Sequence, residues 1–178
     1  MPALADARSL RDIDWDTWVP VDVTTVVFVV EDDRALLIRK KRGLGAGKVN
    51  APGGRVEAGE APAAGAAREL WEEVRLRAGR LSHRGVISFQ FLDGYSTHMH
   101  VFRAAGANGT PAETEEAEPM WVSLDAIPYE RMWADDREWL PRFLAGERFR
   151  GWGLFDGDTM LDFRLQTEED GDGWNDGE

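Results

Sequence analysis

The chain has 178 residues, 43% hydrophobic and 10% aromatic, which suits one domain with a substantial core. A formal net charge of −12 argues against a nucleic-acid duplex or an anionic membrane as the main partner, but not against a phosphorylated small molecule, because a bound cation inverts the sign of a pocket locally. With no cysteine, disulfides, thiol catalysis and cysteine zinc sites are excluded.

In chain order, residues 1–20 form a charged lead-in with Trp15 and Trp18, which either packs onto the body or stays a free arm. Val21 to Val30 is β-branched and nearly continuous, and reads as a buried strand. The polar turn Glu31-Asp32-Asp33 joins it to a second strand, Arg34 to Lys40, as a hairpin. Lys40 to Lys48 is the one dense basic stretch, with three glycines in five residues. It is either a phosphate-holding loop or an ordinary solvated loop. After Pro52-Gly53-Gly54, a helix is predicted from Glu60 to Val74, with Pro62 in its first turn and an alanine-rich body.

Arg77 to Arg84 reads as a connection, with Leu81 in a short strand. Gly85 to Leu92 and Thr97 to Ala105 form a second hairpin across Asp93-Gly94. Ala107 to Pro119 is a polar loop and Met120 to Val122 another strand. A second helix starts around Ala134 to Asp136 and runs to about Leu144, with Trp139, Leu140 and Phe143 on one stripe. Phe149 to Phe155 and Thr159 to Leu165 close the fold. Residues 167–178 carry six acids and no base, the composition of a disordered tail. The order of elements implies an α+β fold, a mixed sheet flanked by helices.

Glu69, Glu72 and Glu73 stand at i, i+3 and i+4, which puts three carboxylates on one helix face. Their repulsion calls for an offsetting positive charge, and a divalent cation with a preference for hard oxygen ligands meets that need. Asp135 and Asp136, taken alone, read as an N-cap and a first-turn acid. His98 and His100 share a strand face, where packing is preferred over metal binding. No apolar run approaches a membrane-spanning length, and the N-terminus lacks a signal-peptide pattern. The expectation is a soluble cytoplasmic protein.

The spacing Gly54, Glu60, Arg68-Glu69-Leu70, Glu72-Glu73, Leu76 resembles the Nudix box, with one departure: Arg75 stands where the signature has glycine. A left-handed helix cap kept there costs arginine roughly 1 kcal/mol unless the loop is rebuilt. From about Thr25 to Leu165 the chain is further similar to the oxidised-purine nucleoside triphosphatase (MutT-homologue) branch, through residues 40–48, Asn50, His100-Val101-Phe102, Gly109-Thr110-Pro111, Glu115-Glu116, Met132-Trp133-Ala134-Asp135-Asp136 and residues 158–162.

That resemblance implies an α/β/α sandwich over residues 21–166. It implies Mg²⁺, with Mn²⁺ as a substitute, on Glu69, Glu72, Glu73, Glu116 and the Gly53 carbonyl. Glu73, Glu116 and Arg68 would be the catalytic residues, with Arg68 orienting carboxylates. Asn50, Asp135 and Asp136 would read a purine edge and Trp133 would stack on it. Thr25, Lys40, Gly54, Phe89 and Phe155 would complete the substrate pocket, and Lys40, Lys41 and Lys48 its positive rim. Leu44 and Val49 replace the family's aromatic residues beside the pocket, which weakens the case for an oxidised base more than the case for hydrolysis. The implied reaction splits a nucleoside triphosphate into monophosphate and pyrophosphate, in a monomer or a dimer. A broader hydrolase of dinucleoside polyphosphates, nucleoside diphosphates or nucleotide sugars, and a non-catalytic nucleotide-binding module, remain alternatives.

Overall fold

The computed structural model describes residues 1–168. In chain order the elements are β1 (Asp22–Glu31), β2 (Arg34–Lys40), β3 (Val49–Asn50), β4 (Gly53–Arg55), α1 (Pro62–Val74), β5 (Arg77–Ala78) and β6 (Leu81–Phe91). They continue with β7 (Ser96–Ala104), β8 (Ala107–Asn108), β9 (Ala117–Ser123), α2 (Asp136–Leu144), β10 (Phe149–Asp156) and β11 (Thr159–Thr167). The main sheet runs β11-β10-β6-β7-β1-β2-β3, with β4 also on β1 and β9 also on β2. It is mixed: β1 with β7 and β6 with β10 are parallel, the other pairs antiparallel.

The sheet is covered on both faces. Val26 and Phe28 of β1 point into a core with Phe89, Trp139, Leu140 and Phe143, under α2. Val27 and Val29 point the other way, into a core with Leu70 and Val74 of α1. A strand buried on both faces has no polar side to show, and this is the reason β1 reads as an unbroken β-branched run. Burial of each Leu, Val or Phe side chain contributes about 1.5–3 kcal/mol.

The expected first hairpin is short. Only Val30↔Ala35 and Glu31↔Arg34 pair, around a turn in which Asp32 takes φ 52°. Beyond it the strands part: β1 pairs with β4 and β7, while β2 pairs along its whole length with β9. Leu81 is not in a separate strand but in β6, which continues past an irregularity between His83 and Gly85.

The 107–119 loop is more tied down than its composition suggests. β8 pairs with β5, Ala112 N–H donates to Val74 O (2.9 Å), and the Thr114 hydroxyl donates to Glu73 O (2.8 Å). These bonds occupy carbonyls left open at the end of α1.

Residues 1–20 are not a free arm. Ala7 and Leu10 are buried against Leu154, Leu10 N–H donates to Asp162 Oδ2 (2.8 Å), and Trp18 Nε1 donates to Gln90 Oε1 (2.8 Å). At the other end Thr167 still pairs with Phe149, so the expected acidic tail starts inside β11; residues 169–178 lie outside the described part. Among the described residues no helix is long and apolar enough to cross a membrane.

Candidate active site: a carboxylate cluster beside an acid-lined cavity

The expected helix is shorter at its start. Glu60 lies in the turn before α1, where its carboxylate accepts Arg68 Nε and Nη2, both at 2.9 Å. Arg68 Nη1 also donates to Glu69 (3.0 Å) and Glu72 (3.2 Å), and Nη2 to Arg55 O (2.9 Å). All five guanidinium N–H groups are thereby used, a fork geometry that lysine cannot copy. The two-point contact with Arg68 holds the Glu60 carboxyl down at about 2.

Glu69 and Glu73, one turn apart, meet Glu116 from the loop before β9; ligand oxygens of the three lie within 4.8 Å of one another. Three carboxylates with no competing soft donor fit a hard divalent cation. Burial is the main reason the Glu73 carboxyl is pushed up to about 8; the Gly53 N–H bond opposes it, and the charges of Glu69 and Glu116 add to it. Burial also raises Glu69, against the pull of Arg68. Glu72 lies outside the cluster, exposed and paired with Arg68, because one residue of helix turns it about 100° from Glu73. Gly53, expected to offer its carbonyl, meets Glu73 through its N–H (3.1 Å).

The two glycines here are required by close approach. A Cβ on Gly53 would sit 1.9 Å from Thr25 O, and one on Gly54 would sit 2.4 Å from the Glu69 carboxyl carbon. Arg75 keeps the left-handed cap (φ 61°, ψ 29°), so the loop is not rebuilt. Its guanidinium lies 5.6 Å from the Trp71 ring centroid, and Nη1 donates to Trp71 O at 3.4 Å, which offsets part of the backbone strain.

A cavity of about 500 Å³ opens beside the cluster, with Glu73 in its wall. Thr25, Lys40, Asn50 and Gly54 line it, as do Phe89, Trp133, Asp135, Asp136 and Phe155, so every substrate-pocket position expected from the sequence reaches one space. Trp133 stands edge-on to Phe91 (6.1 Å) and Phe155 (5.6 Å), with Lys48 Nζ 5.2 Å from its centroid. A Cβ on Gly45, at φ +78°, would meet Trp133 Nε1 at 2.9 Å, which is why the basic loop needs glycine there.

Asp135 and Asp136 are both 3% exposed. Asp135 sits at the N-cap of α2 without a side-chain capping bond; its carboxylate instead accepts Trp139 Nε1 at 2.9 Å. Burial raises it to about 6, and raises Asp136 well above the usual range, where the neighbouring Asp135 charge adds to the effect. Asp136 Oδ2 and Thr25 Oγ1 are buried without a hydrogen-bond partner among the described residues. Polar atoms left so in a cavity are suited to a ligand that supplies the missing bonds.

The expected rim of three lysines is reduced. Lys40 lines the cavity, but Lys41 is engaged by Glu113 (2.5 Å) and Lys48 by Asp158 (3.5 Å). His98 hydrogen-bonds Ser88 and His100 hydrogen-bonds His83, each at 2.9 Å, in keeping with strand packing. Phe91, Tyr95, Met99 and Arg55 also line the cavity, and sequence reading did not single them out. Phe91 was accessible through the period of two from Phe89, and Met99 through the same period from Val101.

The model of the NUDIX domain matches residues 20–143. A protein of Danio rerio named oxidized purine nucleoside triphosphate hydrolase is 43% identical over 148 residues, 82% of this chain and 95% of that protein. One of the same name from Mus musculus is 43% identical over 144 residues, 80% of this chain and 92% of its own. Among solved structures, a MutT protein from Bacillus halodurans superimposes with a TM-score of 0.74 at 28% identity, over 82% of this chain and 97% of that one.

Proposed function

The chain belongs to the Nudix hydrolase family, and from that premise we propose that it hydrolyses purine nucleoside triphosphates, oxidised ones included, to nucleoside monophosphate and pyrophosphate. The observation that carries this reading is that the Glu73 carboxylate and the buried Asp135–Asp136 pair face one cavity. The aromatic walls of Phe89, Trp133 and Phe155 suit a flat base, and the two acids with Asn50 suit the donors and acceptors on a purine edge. With the pair held near protonation, one acid donates while the other accepts.

Glu69, Glu73 and Glu116 would hold the cation, with Mg²⁺ proposed and Mn²⁺ as its substitute. When bound, the ion neutralises phosphate charge and lowers the pKa of the attacking water. Glu73 or Glu116 would take the proton from the attacking water. Arg68 holds Glu69 and Glu72 in register, and Lys40 offers a positive charge at the cavity wall. The proposed setting is a cytoplasmic monomer that cleanses the nucleotide pool.

A pyrophosphate-release screen over ordinary and oxidised purine triphosphates, dinucleoside polyphosphates and nucleotide sugars, with each metal, tests the reading. The expected result is fastest release from a purine triphosphate. Turnover of dinucleoside polyphosphates or nucleotide sugars alone, or of nothing, overturns it.

A further inference from the structure

A line of polar side chains along the cavity has no part in the arrangement above. On the β1–β7 ladder Asp22 stands opposite Thr97, and on the β1–β4 ladder Thr24 stands opposite Arg55. Arg55 Nε lies 3.1 Å from Asp22 Oδ2, and the Thr24 and Thr97 hydroxyls are 2.8 Å apart. Tyr95 stands beside both pairs, within the electrostatic reach of Asp22, Arg55 and Thr97. The five side chains form one polar line in which Arg55–Asp22 and Thr24–Thr97 are the bonded pairs. All but Asp22 line the cavity. Thr97 is 7% exposed, whereas the Arg55 side chain is 74% exposed, so the line runs from the interior to the mouth.

Its position relates it to both ends of the site. Arg55 follows Gly54, which abuts the Glu69 carboxylate. Tyr95 lies 5.7 Å from the ring of Phe91, the neighbour of Trp133. A nucleotide with its base against Trp133 and its phosphates at Glu69 and Glu73 carries its sugar across this stretch. The chemistry agrees. Asp22 cancels the charge of Arg55, so the line offers phosphate little attraction. Hydroxyls that both donate and accept match the hydroxyls of a sugar.

We propose that Tyr95, Thr97 and Thr24, braced by the Asp22–Arg55 pair, form a sugar subsite that reads the ribose hydroxyls of the bound nucleotide. The inference rests on the nucleotide reading above. One hydroxyl–hydroxyl bond at such a site is worth a factor of about three to ten.

The test compares ribo, 2′-deoxy and 2′,3′-dideoxy forms of one purine nucleotide in the parent, Tyr95→Phe and Thr97→Val. Steady-state hydrolysis of the triphosphates and calorimetric binding of the monophosphates are both read. In the parent, loss of both hydroxyls is expected to weaken binding and raise KM about tenfold, with kcat little changed. In either variant that ratio falls below about threefold, because the ribo form alone loses its partner. The inference is overturned if the parent treats all three sugars alike, or if both variants keep the parent's ratio. Within one variant the ratio is insensitive to any general loss of stability. Binding of the monophosphates is independent of turnover, so failure of hydrolysis and failure of the sugar subsite give separate results.

Discussion

Two groups of carboxylates face this site, and they differ in their access to positive charge. On α1, Glu69 and Glu72 share a guanidinium, Glu60 is held ionised by it, and Glu73 and Glu116 complete an oxygen cluster open to a cation. At the start of α2, Asp135 and Asp136 have no ion pair among the described residues; burial, and for Asp136 the Asp135 charge as well, pushes them toward the neutral form, as burial does Glu73 on α1. In the proposed function the same functional group would hold a cation in one place and read a hydrogen-bond pattern in the other. What differs is the distance to arginine, not chemistry.

The sharpest way to break this division is Glu73→Gln, which removes one of the three carboxylates proposed to hold the cation. Pyrophosphate release is expected to fall by about 10³-fold in kcat, with nucleotide binding kept, because the base end is untouched. Retained turnover would move the chemistry off α1.

Arg68→Lys comes next. It leaves a charge but loses the five-bond fork between Glu60, Glu69, Glu72 and Arg55. A lower midpoint is expected in denaturant unfolding, since lysine keeps the charge but cannot make the fork's five bonds. An unchanged midpoint would show that solvent screens the carboxylates adequately.

Asp136→Asn tests the other group. The expected result is a KM about tenfold higher for the preferred purine, a flatter ranking among bases, kcat altered less than threefold, and no loss of thermal stability, because the buried Oδ2 makes no bond to lose. A uniform drop in kcat with the ranking intact would remove the acid pair from base reading.

Asp135 and Glu60 should also give stability opposite pH slopes. Asp135 is raised from 3.8 to about 6 on folding, so its contribution is full below pH 3.8 and is lost as pH rises through about 6. Glu60 is lowered from 4.5 to about 2, so its contribution is present above pH 4.5 and is lost as pH falls through about 2. Melting curves across pH should show the first slope removed by Asp135→Asn and the second by Glu60→Gln. Identical profiles in all three proteins would void the contrast.

The smallest effect is expected for Arg75→Gly. Relief of the φ 61° strain, roughly 1 kcal/mol, is set against loss of the Trp71 contact, worth about 0.5–1 kcal/mol, so the melting temperature should hold or rise slightly. A marked drop would mean that the arginine does more than cap the helix.

Much of this was legible in the residues themselves. The 3.6-residue period placed Glu69 and Glu73 on one helix face, and the period of two placed Phe89 on the strand face that lines the cavity. The β-branched run from Val21 to Val30 announced a buried strand. These are local regularities, set by backbone geometry within a few residues. The 107–119 segment shows where that ends: its composition reads as a loop, yet bonds to the last turn of α1 bring Glu116 to Glu69 and Glu73. The burial of Asp135 and Asp136 is of the same kind, since the pair reads locally as a helix cap and only the surrounding core withholds water from it. So is the line from Arg55 to Thr24, assembled from three strands distant in sequence. The sequence by itself determined the main strands and helices and the acids that α1 brings to one face. Only the tertiary structure decided which acids stay ionised, which lose water, and how the base end and the phosphate end come to share one cavity, because desolvation and charge pairing act between residues that meet through space.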